Sequence, residues 1–312
     1  MKRLLGEVEM ERIRSKDWYE TADGSRRGYI EPAGLKELWF HTGTACNLSC
    51  DFCLEGSGPG DQRLGLVKFA DVEPFIHEAL GLGVEQFSFT GGEPFLAKDF
   101  VKILHFASAH KPCLVLTNGT EALQKRIDQL DLLRDAPNPV SFRVSLDSPV
   151  EVEHDEGRGE GSFLSALDGI RMLQSRGFQV SIARHMQPDE DKGSVESAYC
   201  ELFREQGISH DVTFVAFPDF LPPGSNGSGP DISTNCMTQY HTEESRASFM
   251  CAFSKMVVKQ DGRMRVYACT LVDDDREYDL GGTMREALGA RISMKHHRCF
   301  SCFKYGSSCS EM

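Results

Sequence analysis

Three cysteines crowd one short stretch, Cys46-Asn-Leu-Ser-Cys50-Asp-Phe-Cys53, a C-x3-C-x2-C spacing. Thiolates this close can converge on one metal centre. In a four-iron cubane each iron asks for a ligand, so three cysteines leave one iron open to an external group. A structural zinc ion asks instead for a fourth protein ligand nearby, and three incidental thiols are the plainest alternative. Further along, Gly91-Gly92-Glu93 joins two residues that permit close backbone approach to a carboxylate that can accept from an ammonium. A second thiol group lies near the C-terminus. Cys251 and Cys269 flank Lys259-Gln-Asp-Gly262, a hairpin-turn signal, and a hairpin brings its ends together. Cys299-Phe-Ser-Cys302 adds a C-x2-C pair, so Cys251, Cys269, Cys299 and Cys302 make a complete tetrathiolate for one cluster or one zinc ion.

Repeated strand–helix units supply a scaffold for these residues. Short apolar, β-branched and aromatic runs predict strands at Glu37–His41, Gln86–Thr90, Cys113–Thr117, Ser141–Leu146, Gln179–Arg184 and Val212–Phe217. Helical periods lie between them. Phe100, Ile103, Leu104 and Ala107 share a face after Asp99, which can cap the first turn. Leu123, Ile127 and Leu130 follow Thr120; Phe163, Leu167, Ile170 and Leu173 follow Ser162. Such repeats imply a parallel sheet covered by helices, either a barrel or a doubly wound sheet. The run Pro218–Pro230 reads as a linker. The chain then divides into an extension over 1–35, a barrel over 36–225 and a cysteine-rich unit over 226–312.

The three-cysteine loop after the first strand, with Phe89-Thr90-Gly91-Gly92-Glu93-Pro94 after the second, resembles the radical S-adenosylmethionine (SAM) superfamily. The resemblance spans roughly residues 36–217. It implies an α/β fold, a partial (β/α)6 TIM-type barrel, with a 4Fe-4S cluster on Cys46, Cys50 and Cys53 whose open iron is chelated by SAM. In that family, reduction of the cluster cleaves SAM to a 5′-deoxyadenosyl radical, which abstracts a hydrogen atom from the substrate. A flavodoxin- or ferredoxin-type electron donor is implied as a partner. The resemblance places Phe52 near the adenine and Gly91, Gly92 and Glu93 at the amino group of SAM. Thr117-Asn118-Gly119 resembles the family's TNG signature, and Ser145 and Asp147 resemble polar residues facing the methionine or ribose. The stretch His154–Gly159 resembles one found in peptide- and sugar-modifying members, in which Arg158 would clamp the SAM carboxylate, with Arg184 as its substitute. The C-terminal thiols resemble the twitch domain, a short relative of the SPASM domain, which holds one auxiliary 4Fe-4S cluster. The run C-x2-C-x6-C ending in Ser310-Glu-Met departs from the seven-cysteine SPASM pattern. Cys309 is then a spare ligand or a hydrogen-atom donor, and Cys236 has the same options.

Composition excludes other classes. Lys+Arg is 34 and Asp+Glu 47, a formal charge of −13, without the basic footprint of a general nucleic-acid binder. No apolar run approaches the ~18 residues of a membrane span, and charges interrupt the N-terminus too early for a secretory signal. Eleven cysteines, an odd number, point to metal-binding or catalytic thiols in the cytoplasm; Cys113 and Cys200 read as core residues. The expected activity is that of a radical SAM oxidoreductase acting on a small polar metabolite, for example by oxidising or epimerising a sugar. The alternative is a peptide-modifying maturase. Such enzymes often carry an N-terminal leader-recognition domain longer than the segment before this barrel, which tilts the expectation toward the metabolite. The remaining reading, a non-enzymatic iron–sulfur or zinc protein, has no use for an open iron beside Gly-Gly-Glu.

Overall fold

The computed structural model describes residues 14–186, 190–209, 211–217 and 229–306. After a short β1 (Tyr29–Ile30) come β2 (Glu37–His41), β3 (Gln86–Thr90), β4 (Cys113–Thr117), β5 (Val140–Ser145), β6 (Gln179–His185) and β7 (Thr213–Phe217). Strands β2 to β7 lie side by side in chain order, all parallel. Parallel neighbours need crossovers. These contain α1 (Phe69–Gly81), α2 (Phe100–Ser108), α3 (Glu121–Gln124), α4 (Glu151–Arg158), α5 (Ser162–Ser175) and α6 (Lys192–Glu205). The architecture is the expected partial (β/α)6 barrel. Side-chain alternation divides each strand between two faces. Phe40, Phe87 and Phe89 pack together toward the helices, with Phe89 against Phe100 of α2. Trp39, His41, Ser88 and Thr90 take the opposite face, and all four are buried.

Two helix expectations change in detail. Asp99 does not cap its own helix; its carboxylate accepts from Phe69 N (3.0 Å) at the start of α1 and so links neighbouring helices. The helix expected after Thr120 stops at Gln124 and resumes as a 3-10 stretch, Ile127–Leu133. Between them Arg126 donates to the carbonyls of Phe95, Ala97 and Lys98, tying the chain down where the α-helix ends. Cys113 lies in the core, whereas Cys200 is exposed on α6, a correction to its expected burial.

The C-terminal hairpin is built into the barrel sheet. β8 (Ser254–Gln260) pairs in parallel with β2, β9 (Arg263–Tyr267) runs antiparallel to β8, and β10 (Asp279–Gly281) antiparallel to β9. Among the described residues the sheet order is β10-β9-β8-β2-β3-β4-β5-β6-β7. The N-terminal extension, featureless in sequence, is anchored from residue 14 onward. β1 pairs with β11 (Ile292–Ser293), and buried Trp18 sits against Tyr278 with ring centroids 4.9 Å apart. A two-residue strand and one aromatic anchor leave no period to read. Most of the expected linker, residues 218–228, lies outside the described residues, as does Cys309. Among the described residues no helix is long and apolar enough to cross a membrane.

Candidate active site

The thiol loop leaves the end of β2 and runs beside the turn after β3. Gly92 N donates to Gly43 O (2.8 Å) and Glu93 N to Ala45 O (3.0 Å). A Cβ on Gly92 would stand 2.2 Å from Ala45 O; one on Gly91, where φ is +142°, would stand 2.7 Å from Thr42 Oγ1. The two glycines thus let two backbone segments meet, which spacing alone had assigned to ligand approach.

Glu93 lies beneath this junction. It is fully buried and is absent from the cavity lining, which runs over Gly91 and Gly92. Its carboxylate accepts from Thr117 Oγ1 (3.0 Å), Asn118 N (2.9 Å) and Phe95 N (3.2 Å). These bonds tie the ends of β3 and β4 together. Asn118 carries the tie onward: its Nδ2 donates to Asn47 Oδ1 (3.0 Å) and approaches Cys46 Sγ (3.8 Å). Burial pushes the Glu93 carboxyl up to about 7, against the lowering effect of those donors. A carboxyl raised from 4.5 binds more protons folded than unfolded between pH 4.5 and 7. Stability of the metal-free protein should therefore fall as pH rises through that window, by on the order of 3 kcal/mol from this group. Glu93→Gln should flatten that slope. It should also cost about 1–3 kcal/mol, because one backbone N–H then faces an amide NH2. Urea unfolding at several pH values measures both; an unchanged slope in the variant would assign the pH dependence to other groups.

The thiols of Cys46, Cys50 and Cys53 border one cavity at the C-terminal ends of the strands, where barrel folds build their sites. Burial, joined by negative charge on Glu93, Cys50 and Cys53, pushes the Cys46 thiol up to about 11. Cys46 Sγ accepts from Leu48 N (3.4 Å) and Cys53 Sγ from Ser57 N (3.4 Å). Phe52, Thr117, Asn118, Ser145, Asp147 and Arg158 line the same cavity. Arg158 turns its fork to Asp147 through Nε and Nη2 and reaches Cys50 Sγ through Nη1 (3.9 Å). The guanidinium expected to clamp an external carboxylate thus already holds an internal one. Burial alone would raise the Asp147 carboxyl, but Arg158 overrides it and holds the group below its ordinary range. His154 accepts from Asp147 N at Nδ1 (3.2 Å), and burial together with Arg158 pushes it down to about 4, so it stays neutral. Phe52 packs on His185 (4.0 Å between centroids) and beneath Arg158. Arg184 also lines the cavity, while pairing with Glu190.

The second thiol group is not part of the cavity lining, though Thr270 and Leu271, which follow Cys269, are. Cys251 lies on a short helix, Met250–Phe253, Cys269 follows β9, and Cys299 and Cys302 share the helix Cys299–Tyr305. Burial raises all three of Cys251, Cys299 and Cys302; Cys302 and Cys299 act on Cys251, and Cys269 and Cys302 on Cys299. Lys255 is buried among them, its Nζ donating to Cys251 O (2.7 Å) and Ser254 O (2.8 Å). Cys236 stands apart, its sulfur on Ser233 Oγ (3.3 Å). Among the described residues only His41, Glu55 and Asp273 bring three ligand atoms within 4.8 Å of one another. Neither thiol group is that tight.

Two arginines join the thiol loops. Buried Arg298 donates to Leu54 O (3.0 Å), one residue after Cys53, and to Leu271 O (3.1 Å), two after Cys269. Arg63 donates to Glu55 O (2.9 Å) and Asp273 Oδ2 (2.9 Å). Arg298→Met leaves both carbonyls without this donor and should cost about 2–5 kcal/mol. Hydrogen exchange should rise together in residues 53–57 and 270–273; a rise on one side alone would contradict the tie.

Sequence reasoning missed Trp39, Glu55, His185, Thr270 and Leu271, all of which line the cavity. Strand alternation could have flagged Trp39, and nearness to Cys53 could have flagged Glu55. Thr270 and Leu271 became visible only once β8 was docked on β2.

An open run of parallel strand–helix units with a thiol loop at its C-terminal edge defines a barrel of the SAM-cleaving class. The Radical SAM superfamily profile matches residues 40–199, and the chain belongs to that superfamily, whose members bind a 4Fe-4S cluster and SAM. The mycofactocin maturase MftC of Mycobacterium ulcerans is 31% identical over 147 residues, 45% of this chain and 38% of its own. A GTP 3′,8-cyclase of Actinobacillus pleuropneumoniae is 29% identical over 157 residues, 47% and 45% of the two chains. The sporulation killing factor maturation protein SkfB of Bacillus subtilis is 32% identical over 142 residues, 45% and 33%. The matched stretch is thus less than half the length of each of these relatives. Streptococcus suis SuiB bound to SAM shares the fold, with a TM-score of 0.58, 14% identity, and coverage of 80% of this chain and 63% of that one.

Proposed function

We propose that this radical SAM enzyme modifies a peptide, with a SAM-binding 4Fe-4S cluster on Cys46, Cys50 and Cys53 and an auxiliary 4Fe-4S cluster on Cys251, Cys269, Cys299 and Cys302. The observation that carries the two-site reading is the grouping of the thiols: Cys46, Cys50 and Cys53 border one cavity, while Cys251, Cys269, Cys299 and Cys302 act on one another in a second group. Buried Lys255 supplies a cation beside the second group, suited to a cluster bearing four thiolates. Residues 36–225 then serve the first cluster and 226–312 the second, although one sheet runs through both.

When bound, the first cluster and SAM supply a carbon-centred radical that removes a hydrogen atom from the substrate. The chain's own residues bind and orient. Gly91 and Gly92 expose backbone to the cavity, Asn118 holds the thiol loop to β4, and Ser145 offers a hydroxyl. Asp147 and Arg158 form a fixed ion pair beside Cys50, available to a ribose or a carboxylate. Phe52 and His185 give a stacking wall for an adenine. Cys309, a proposed hydrogen-atom donor, stands on sequence alone.

The maturase relatives MftC and SkfB favour a peptide over the small metabolite expected from sequence, since that expectation rested on the length of the segment before the barrel. The cyclase relative keeps a small-molecule substrate as the second reading. Oxidation as the net outcome, a flavodoxin- or ferredoxin-type donor and a cytoplasmic setting remain parts of the proposal. The test is anaerobic: reconstituted enzyme, SAM and reductant are incubated with synthetic peptides encoded beside its gene, and masses are read. A peptide mass change that depends on SAM is expected. Conversion of a nucleotide or sugar with every peptide inert would reverse the choice.

A further inference from the structure

A second groove opens where the N-terminal segment meets β11, and it shares no residue with the cavity. Arg14, Arg26, Arg27 and Arg291 line it beside Trp18 and Tyr19, and among the described residues no carboxylate does. Four arginines together stand out in a chain of formal charge −13. Buried Arg27 is held by Asp231 and Glu20 O, so it shapes the groove. The other three present their charge. Arg26 is exposed. Arg14 lies over the Trp18 ring, 4.3 Å from its centroid. Arg291 pairs with Glu31 (2.9 Å), but both side chains are more than half exposed, and such a pair contributes little. A docking carboxylate can take the place of Glu31. Tyr19, also exposed, adds an aromatic surface of the kind enriched with arginine at interfaces. The floor of the groove leads inward. The Trp18 ring lies 4.9 Å from that of buried Tyr278, and Tyr278 Oη lies 4.0 Å from Cys299 Sγ. Tyr278 is fixed there, donating to Ser293 O (2.8 Å) and accepting from His296 N (2.8 Å). Two packed rings thus join an accessible basic surface to the second thiol group.

We propose that the arginine groove docks an acidic one-electron carrier protein, which takes its electron from the cluster on Cys251, Cys269, Cys299 and Cys302 by way of Tyr278 and Trp18. Surface carboxylates of the carrier answer the arginines, and complementary charge fixes its approach and orientation. Electron tunnelling weakens steeply with distance and passes better through packed atoms than across a gap, so the two rings mark where a carrier should sit. The step balances simply. One electron leaves the reduced cluster and enters the oxidised carrier, and no bond in this chain forms or breaks. A flavin carrier takes the accompanying proton from solvent. An acidic peptide would also meet the arginines, but it has no use for the aromatic link, and that link favours the carrier. This surface rests on the auxiliary-cluster reading and gives that cluster an outlet.

The test titrates an oxidised flavodoxin into the anaerobically reconstituted enzyme by calorimetry, at low ionic strength, where charge pairing is least screened. Stopped-flow mixing with the reduced, desalted enzyme then follows reduction of the flavin. Arg26→Glu combined with Arg291→Glu should weaken binding at least about tenfold and slow flavin reduction at limiting carrier to match. Lys125→Glu combined with Arg204→Glu makes the same change in net charge on exposed side chains outside the groove and should stay within about twofold of wild type. Cys269→Ala should bind the carrier as wild type does but reduce its flavin more slowly. Binding unchanged in the groove variant, or weakened equally in both double variants, overturns the docking surface and leaves the auxiliary cluster standing. Unchanged flavin reduction in Cys269→Ala overturns the route through Tyr278 and Trp18. A groove that binds hexaglutamate while flavodoxin stays unbound overturns the carrier in favour of an acidic peptide. Zinc in the second site of the wild-type protein removes the auxiliary cluster, and this proposal with it.

Discussion

Replacing Cys46, Cys50 and Cys53 together with alanine is expected to abolish SAM cleavage and to lower the iron content from about eight to about four per chain, one cubane lost and one kept. The three thiols border one cavity, and the thiols of the second group act on one another. The two sites share no cysteine, so the loss should be confined to the first. Cys269→Ala is the converse: iron should again fall to about four, while SAM is still cleaved without productive turnover. 5′-Deoxyadenosine formation above background in the triple variant would remove the cavity thiols from the chemistry.

Gly92→Ala should be nearly as damaging, although it removes no ligand. The added methyl would stand 2.2 Å from Ala45 O and 2.6 Å from Ala45 C, both backbone atoms. Neither can swing aside as a side chain does, so the segment 43–45 must shift and the bonds Gly92 N to Gly43 O and Glu93 N to Ala45 O must break. A cost of about 3–5 kcal/mol is expected, with the loop leading to Cys46 displaced. Gly58→Ala is the matched control, since nothing lies within 4 Å of its added Cβ; it should change stability by less than about 0.5 kcal/mol. Chemical denaturation and iron content read both. Equal behaviour of the two variants would refute the packing role given to Gly92.

Three of the six barrel strands were legible to the residue, because Glu37–His41, Gln86–Thr90 and Cys113–Thr117 are short apolar runs between breakers. The thiol loop was legible because close spacing forces convergence whatever the surrounding fold. The partners of Glu93 and Arg158 were not. A motif names a carboxylate or a guanidinium but not what is buried beside it, and here Thr117, Asn118 and Asp147 reach them first. The docking of β8 on β2 was hidden for a different reason. Strand pairing between residues 37–40 and 254–257 leaves no local trace in either segment, and Thr270 and Leu271 reach the cavity wall only through that pairing. The anchoring of Trp18 on Tyr278 is equally non-local.

The central claim is that the chain holds two four-iron sites, of which only the one on Cys46, Cys50 and Cys53 has an iron open to SAM. Electron paramagnetic resonance of the anaerobically reconstituted, reduced protein, recorded before and after adding SAM, tests it most directly. Two cluster signals are predicted, one shifting with SAM and absent from the triple cysteine variant, the other indifferent to SAM and absent from Cys269→Ala. A single cluster signal with zinc in the second site, or two signals both indifferent to SAM, would contradict the account.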